Sequence, residues 1–322
     1  MLLATCQEIW DILIIMNLLR QLPAFPQLKP LTLQDHEVLQ PFLDAYDPYS
    51  DYNFASMWCY NTQEKMEIST LHENLVVKFE DYVTSEHFLS FLGTHEPVAT
   101  AKALIDYCMG NNLTTKLKLI PEVVASKLFD SDVFQVQADE DNYDYVLSTE
   151  QVSTLTTTKY HTQKNHLNRF EKNYPECLAV NLDISDKKTH EILFDIFYKW
   201  EKGRGKKRHE TQHELTALER FLTHAHLFNP IIFAAEYNRS FLGFIIAELV
   251  GRKYAVVHFA KSNPKYKEVY VFLNNSLAKH LWNMGYQYMN IEQDLGIPGL
   301  KYAKQQWNPI KYLKKYSVNL AS

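Results

Sequence analysis

Apolar positions along this chain switch between a spacing near 3.6 and a spacing of 2, and each switch marks an element. Residues 31–46, LTLQDHEVLQPFLDAY, carry helical spacing, with Thr32 or Asp35 as N-cap. Residues 47–60 begin as a turn and become aromatic. KMEISTLHENLVVKFE (65–80) alternates on both sides of His-Glu-Asn and predicts a hairpin. PVATAKALIDYCMG (97–110) opens on Pro and closes on Gly, the asymmetry of a helix. Residues 130–147 contain an acidic loop. A basic helix follows at 158–174, then a strand at 177–183, a helix at 189–203, a basic loop at 203–210 and a helix at 213–226. IIFAAEY and FLGFIIAELV flank Asn238-Arg239 as a second hairpin. A strand at 254–260, a long helix at 265–285, a strand at 286–292 and a last one at 309–318 complete the pattern.

Antiparallel hairpin, strand, long helix, strand is the order of an acetyltransferase-type (GNAT) α+β domain, and the first half shows a weaker version of it. The pattern predicts two GNAT-like domains, each a mixed, mostly antiparallel sheet flanked by helices. Their expected bounds are 30–147 and 148–322, after an N-terminal extension at 1–29.

A length of 322 residues and an apolar share of 46% agree with two domains, each with its own core. The net charge of −5 conceals an asymmetry. Residues 1–155 hold 8 basic and 23 acidic side chains, or −15, whereas residues 156–322 hold 25 and 15, or +10. A basic half suits an anionic partner such as nucleic acid, anionic lipid or a phosphate-bearing donor, and equally suits attraction to the acidic half. Cys6, Cys59, Cys108 and Cys177 have neither metal-ligand nor redox spacing, which fits a reducing cytoplasm. The apolar N-terminus is interrupted by Glu8 and Asp11. It predicts a short amphipathic helix rather than a membrane span or a secretory signal, with Met16 as an alternative start.

His209-Glu210-Thr211-Gln212-His213 fits H-E-x-x-H, a zinc-hydrolase pattern, with Glu236 as a conceivable third ligand. Its flanks are charged, which predicts a solvated helix start and no metal. His224 and His226 are two apart and do not share a helix face. Phosphate-cradling glycine motifs are absent, and KSNPKYKEVY stands where an acetyl-coenzyme A loop would need glycine. Lys164 and Arg169 lie on the basic helix and suit phosphate or carboxylate. Near the end, Glu292 and Asp294 follow a strand and precede Gly296, Pro298 and Gly299. Lys301 and Lys304 share a face of a short helix. Such a loop could hold a substrate ammonium on carboxylates and its phosphates on lysines.

Four stretches, YSDYNFASMW (49–58), residues 144–175, VVHFAKSNPKYKEVYVFLN (256–274) and NIEQDLGIPGLKYAKQQWNPIKYLKKY (290–316), resemble the C-terminal catalytic domain of phosphatidylglycerol lysyltransferases. The last is the longest and most ordered match. The resemblance spans roughly residues 30–318 and implies a tandem GNAT fold. It further implies a cytoplasmic transferase that takes an aminoacyl group from charged tRNA, with a phospholipid or small molecule as acceptor and contact with a membrane surface. On this reading Asp294 and Glu292 are the catalytic candidates. Asn290, Lys301, Lys304, Lys164, Arg169, His258, Lys261, Tyr270 and Asp51 are the substrate-binding candidates. Ile291 stands where the family has Arg, Ala260 replaces Glu, Glu268 replaces Gly, and Lys164 and Lys301 replace Arg, which loses a bidentate fork. No cofactor is expected, since an ester donor carries its own activation. The competing readings are a non-catalytic RNA- or anion-binding module and, further off, a zinc hydrolase.

Overall fold

A computed structural model describes residues 18–81, 84–111 and 113–321. The N-terminal helix expected over residues 1–23 falls mainly on residues 1–17, outside the described residues. The chain forms two compact units, residues 1–143 with 313–322 and residues 144–312. The expected boundary at 147 thus moves to 143, and the last ten residues return to the first unit.

Unit 1 starts with β1 (Lys29–Pro30), α1 (His36–Leu43) and α2 (Phe54–Tyr60). The aromatic stretch after residue 53 is helical because the Asn53 side chain accepts the Ser56 N–H at 3.0 Å and caps it. β2 (Glu67–Leu71) and β3 (Asn74–Glu80) form the expected hairpin, with His72 and Glu73 both at positive φ. β4 (His87–Leu92), α3 (Pro97–Gly110), β5 (Leu117–Pro121), α4 (Glu122–Ala125) and β6 (Phe134–Ala138) follow. The strands make two sheets, β1-β2-β3-β4 and β5-β14-β6, where β14 is Lys315–Leu320. The single strand expected at 309–318 is two. β13 (Lys311–Leu313) joins the sheet of unit 2, and β14 hydrogen-bonds between β5 and β6.

Unit 2 is built on a seven-stranded sheet ordered β13-β7-β12-β11-β10-β9-β8. Its strands are β7 (Asp144–Ser148), β8 (Leu178–Asn181), β9 (Pro230–Tyr237), β10 (Ser240–Val250), β11 (Tyr254–Ser262) and β12 (Tyr288–Asn290). Its helices are α5 (Thr149–Thr154), α6 (His161–Asn173), α7 (Lys187–Gly203), α8 (Arg208–Thr223), α9 (Val269–Asn283) and α10 (Pro298–Gln305). Hairpin β9–β10, strand β11, helix α9 and strand β12 parallel to β11 reproduce the order expected from the sequence.

One face of the sheet, with Ile245, Ala247, Ala255, Val257 and Met289, shares a core with Leu273, Leu277 and Leu281 of α9 and Phe170 of α6. Full burial of each large side chain contributes roughly 1.5–3 kcal/mol. Gly243 lets α9 approach the sheet: a Cβ there would lie 2.7 Å from Val269 Cγ1 and 2.9 Å from the Lys261 carbonyl oxygen. Among the described residues no helix is long and apolar enough to cross a membrane.

The His-Glu-Thr-Gln-His stretch is the start of α8, as its charged flanks predict, and the helix begins at Arg208 rather than at 213. Glu210 Oε2 accepts the Lys207 N–H at 2.6 Å and so begins the helix at Arg208. The motif's glutamate is a capping group. His209 is exposed, and no three His, Cys, Asp or Glu side chains among the described residues are placed to hold a metal ion.

Candidate active site

β11 and β12 pair over three residues only, ending with Val256 opposite Asn290. β11 runs on to Ser262 while β12 stops. Just beyond that level β11 bulges against β10. Ile246 opposes Phe259 and Ala247 opposes Val257, which leaves His258 as the extra residue. A bulge re-aims side chains and shifts the alternation of those after it. Phe259 therefore packs on Phe221 of α8 at 5.7 Å between ring centres, and Lys261 pairs with Glu214 of α8. Ala260 packs instead against the core under α9. Without the extra residue, Ala260 and not Lys261 would share the face of His258.

His258 is buried between two carboxylates. Its Nε2 lies 2.9 Å from Glu248 Oε2 on β10, and its Nδ1 lies 3.0 Å from Glu292 Oε1. A ring that donates to two carboxylates is an imidazolium. Burial by itself disfavours that charge. The hydrogen bonds and charges of Glu248 and Glu292 outweigh it and push the His258 pKa up from 6.5 to about 9.

The raised value has a consequence for stability. The folded state holds the His258 proton more tightly than the unfolded chain does. The associated stabilisation is complete below pH 6.5 and is lost as pH rises through about 9. Thermal melts between those limits should show a decline that is flattened in His258→Gln. Parallel curves for the two proteins would refute the charged histidine.

Glu292 is held in place from several directions. Its φ of +59° is left-handed, a conformation that ends β12 two residues sooner than the pattern predicts. Its N–H donates to Asn290 Oδ1 at 2.7 Å, and its carbonyl accepts the Tyr145 N–H at 3.2 Å. Lys304 Nζ donates to the carbonyls on either side, to Ile291 and, at 2.7 Å, to Gln293. Asp294 is fully buried; its Oδ2 accepts the Tyr145 hydroxyl at 2.5 Å and its Oδ1 the Gly296 N–H at 2.8 Å. Of the three acidic side chains at this loop and strand, only Glu292 is partly open, at 21% side-chain exposure against 6% for Glu248.

The structure thus brings Asn290, Glu292, Asp294, Lys304 and His258 into one network. Asn290, Asp294 and Lys304 shape the loop with the polar groups that the sequence suggested for ligand. Lys261 and Tyr270 form a neighbouring set beyond the bulge. The Lys261 ammonium lies 2.5 Å from Glu214 and 4.4 Å from the Trp200 ring centre, and the Tyr270 hydroxyl accepts the Ser262 N–H at 3.2 Å. Arg169 reaches Glu268 at 3.4 Å, at the start of α9. Lys164 is exposed and Lys301 half-buried. Asp51 belongs to unit 1, where it pairs with Lys315.

Two members of the network, Glu248 and Tyr145, were not singled out in the sequence. Glu248 left a signal, since it is an acid within the apolar run FLGFIIAELV and a buried acid requires a partner. Tyr145 left none.

The sequence profile of the phosphatidylglycerol lysyltransferase C-terminal family matches residues 44–319. The chain belongs to that family. No curated protein matches the sequence. Among solved structures, a conserved protein of unknown function from Bacteroides thetaiotaomicron is 22% identical with a TM-score of 0.79, covering 91% of this chain and 99% of its own. A C-terminal domain assigned to a lysylphosphatidylglycerol synthetase of Agrobacterium fabrum is 12% identical with a TM-score of 0.63, covering 90% and 92%. L-PGS from Bacillus licheniformis is 12% identical with a TM-score of 0.60, covering 92% of each chain. At such identities these likenesses show the fold. Family membership itself supports an acyl- or aminoacyl-transferase-like role.

Proposed function

We propose that unit 2 transfers an aminoacyl group from an activated ester, such as aminoacyl-tRNA, to a hydroxyl or amine acceptor, and that Glu292 holds the donor's α-ammonium. The observation that carries this reading is the Glu248–His258–Glu292 chain, of which Glu292 is the one partly exposed end. Its Oε1 already bonds the imidazolium, so Glu292 offers a fixed negative charge more readily than a site for a transferred proton. Asp294, buried with both oxygens bonded, acts as a positioning residue for the same loop.

In the reaction the acceptor O–H or N–H attacks the ester carbonyl. A new C–O or C–N bond forms, the ester C–O bond to the ribose breaks, and the acceptor's proton ends on the released ribose hydroxyl. Lys164, Arg169 and Lys301 supply cations for donor phosphates, and the excess of basic side chains in residues 156–322 favours such a donor.

The test is incubation with a panel of aminoacyl-tRNAs carrying labelled amino acids, with and without acceptor. Acceptor-dependent loss of label from at least one tRNA is expected. Salt-sensitive tRNA binding with no loss of label from any of them would replace transfer by a binding role.

A further inference from the structure

β6 (Phe134–Ala138) is an outermost strand, hydrogen-bonded only to β14 in the order β5-β14-β6. The Asp139 N–H donates to the Lys315 carbonyl at 3.0 Å, and the Ala321 N–H donates to the Val133 carbonyl at 2.8 Å. Bonded positions recur every second residue in an antiparallel ladder. Gln135 and Gln137 therefore turn their backbone groups towards β14, and Val136 and Ala138 turn theirs away. Among the described residues nothing pairs with the N–H and C=O groups of Val136 and Ala138. Proteins usually protect such an edge with lysine, proline or a bulge. β6 reads FQVQA, without charge or proline, and its register with β14 has no break. Gln135, Gln137 and Ala138 are exposed and Val136 is half-buried.

The flanks of the strand decide what can pair there. Exposed Asp130 and Asp132 stand before it, and exposed Glu140 and Asp141 after it. Asp139 counts for less, being half-buried, bonded to Asn142 at 3.0 Å and near the charge of Lys116. No Lys or Arg occurs from residue 128 to residue 158. Beside β6, β14 is uncharged from Tyr316 to Leu320, while Lys315 is buried against Asp51 and Lys314 pairs with Glu122 at 3.1 Å. A second copy is a poor occupant. Antiparallel pairing centred on Val136 would bring Asp132 of each copy beside Glu140 of the other, and parallel pairing would set each acid beside itself. An extended segment with Lys or Arg at both ends meets opposite charge at both ends. In this mode of recognition main-chain hydrogen bonds, here to Val136 and Ala138, supply attachment, and alternate side chains supply selection. A position beside Val136 favours an apolar side chain, and positions beside Gln135 and Gln137 favour polar ones.

We propose that β6 is a strand-addition site for an extended cationic peptide of a partner protein, with alternating polar and apolar side chains between basic ends. The site belongs to unit 1, whereas the transfer reading concerns unit 2. Peptide binding is measured without any transfer assay, so the two stand or fall separately.

The probe is a fluorescein-labelled peptide, Lys-Arg-Thr-Val-Thr-Val-Thr-Arg-Lys, with a matched peptide carrying Glu at the basic positions. Fluorescence anisotropy with the full chain at low salt should give a Kd below about 100 μM for the cationic peptide, weaker at high salt, and no binding of the acidic one. Hydrogen exchange resolved to single amides should slow at Val136 and Ala138 when the cationic peptide is bound. Val136→Pro removes an N–H that β14 does not use, so the fold should survive and binding should fall at least about tenfold. Should that variant fail to fold, the exchange measurement on the wild-type chain decides alone. The combined variant Asp130→Asn, Asp132→Asn, Glu140→Gln, Asp141→Asn should weaken binding about tenfold and flatten its salt dependence. Absence of binding by the cationic peptide would overturn the proposal. So would binding that leaves exchange at Val136 and Ala138 unchanged, equal binding of the acidic peptide, or protection of those two amides by self-association without peptide.

Discussion

Glu292→Gln is expected to lower kcat/KM for the aminoacyl donor by roughly 10- to 100-fold with the fold intact. Glutamine keeps the size of the side chain and an oxygen for His258 but loses the negative charge. A hydrogen bond to a charged group contributes about 1.5–3 kcal/mol, and about 1.4 kcal/mol is a factor of ten. The ammonium assignment has its own control. Acetylating the amino group of the donor removes the partner of Glu292, so wild type and variant should then differ by less than about twofold. An equal loss with both donors would mean that Glu292 acts on the acceptor or on the loop. Steady-state rates for the two donors and two proteins decide the matter.

Lys315→Met is expected to destabilise unit 1 by about 3–5 kcal/mol, the range for removing one partner of a buried ion pair. Lys315 is fully buried in β14, the strand between β5 and β6, and its ammonium meets the Asp51 carboxylate and, at 3.0 Å, the Ser50 hydroxyl. Methionine fills a similar volume but leaves Asp51, at 12% side-chain exposure, without its cation. Adding Asp51→Asn should recover much of the loss, because the uncompensated charge goes with it. Hydrogen exchange of the β14 amides in wild type, single and double variants measures both effects. A single variant within about 1 kcal/mol of wild type would show that water reaches Asp51.

The elements that sequence pattern located best are those governed by local rules. The helix at 97–110 has its Pro and Gly, and the two hairpins turn at His72-Glu73 and Asn238-Arg239, all four at positive φ, between runs of period two. The pattern starts α8 at 213, five residues late, because the apolar spacing begins there and the cap that Glu210 makes on the Lys207 N–H adds a polar first turn. β12 was drawn too long because the left-handed turn at Glu292 depends on the Asn290 side chain and on Lys304, thirteen residues after Ile291. The family signature points to the loop on which the candidate site is built, and it places Asp294 on a par with Glu292 because sequence carries no information on burial.

By itself the sequence determined the alternation of strands and helices, the α+β class, the family and the stretch 290–304 on which the candidate site is built. Those follow from periodicity, turn chemistry and ordered motifs, all of them short-range. Tertiary structure alone decided that His258 is the extra residue of a bulge, that Glu248 from β10 and Glu292 from the loop after β12 close on it, and that Asp294 and Lys304 face inward while Leu295, Ile297 and Leu300 face out. The physical reason is parity. One additional residue in a strand reverses which side chains share a face, and that choice depends on the partner strand, not on the residues being turned.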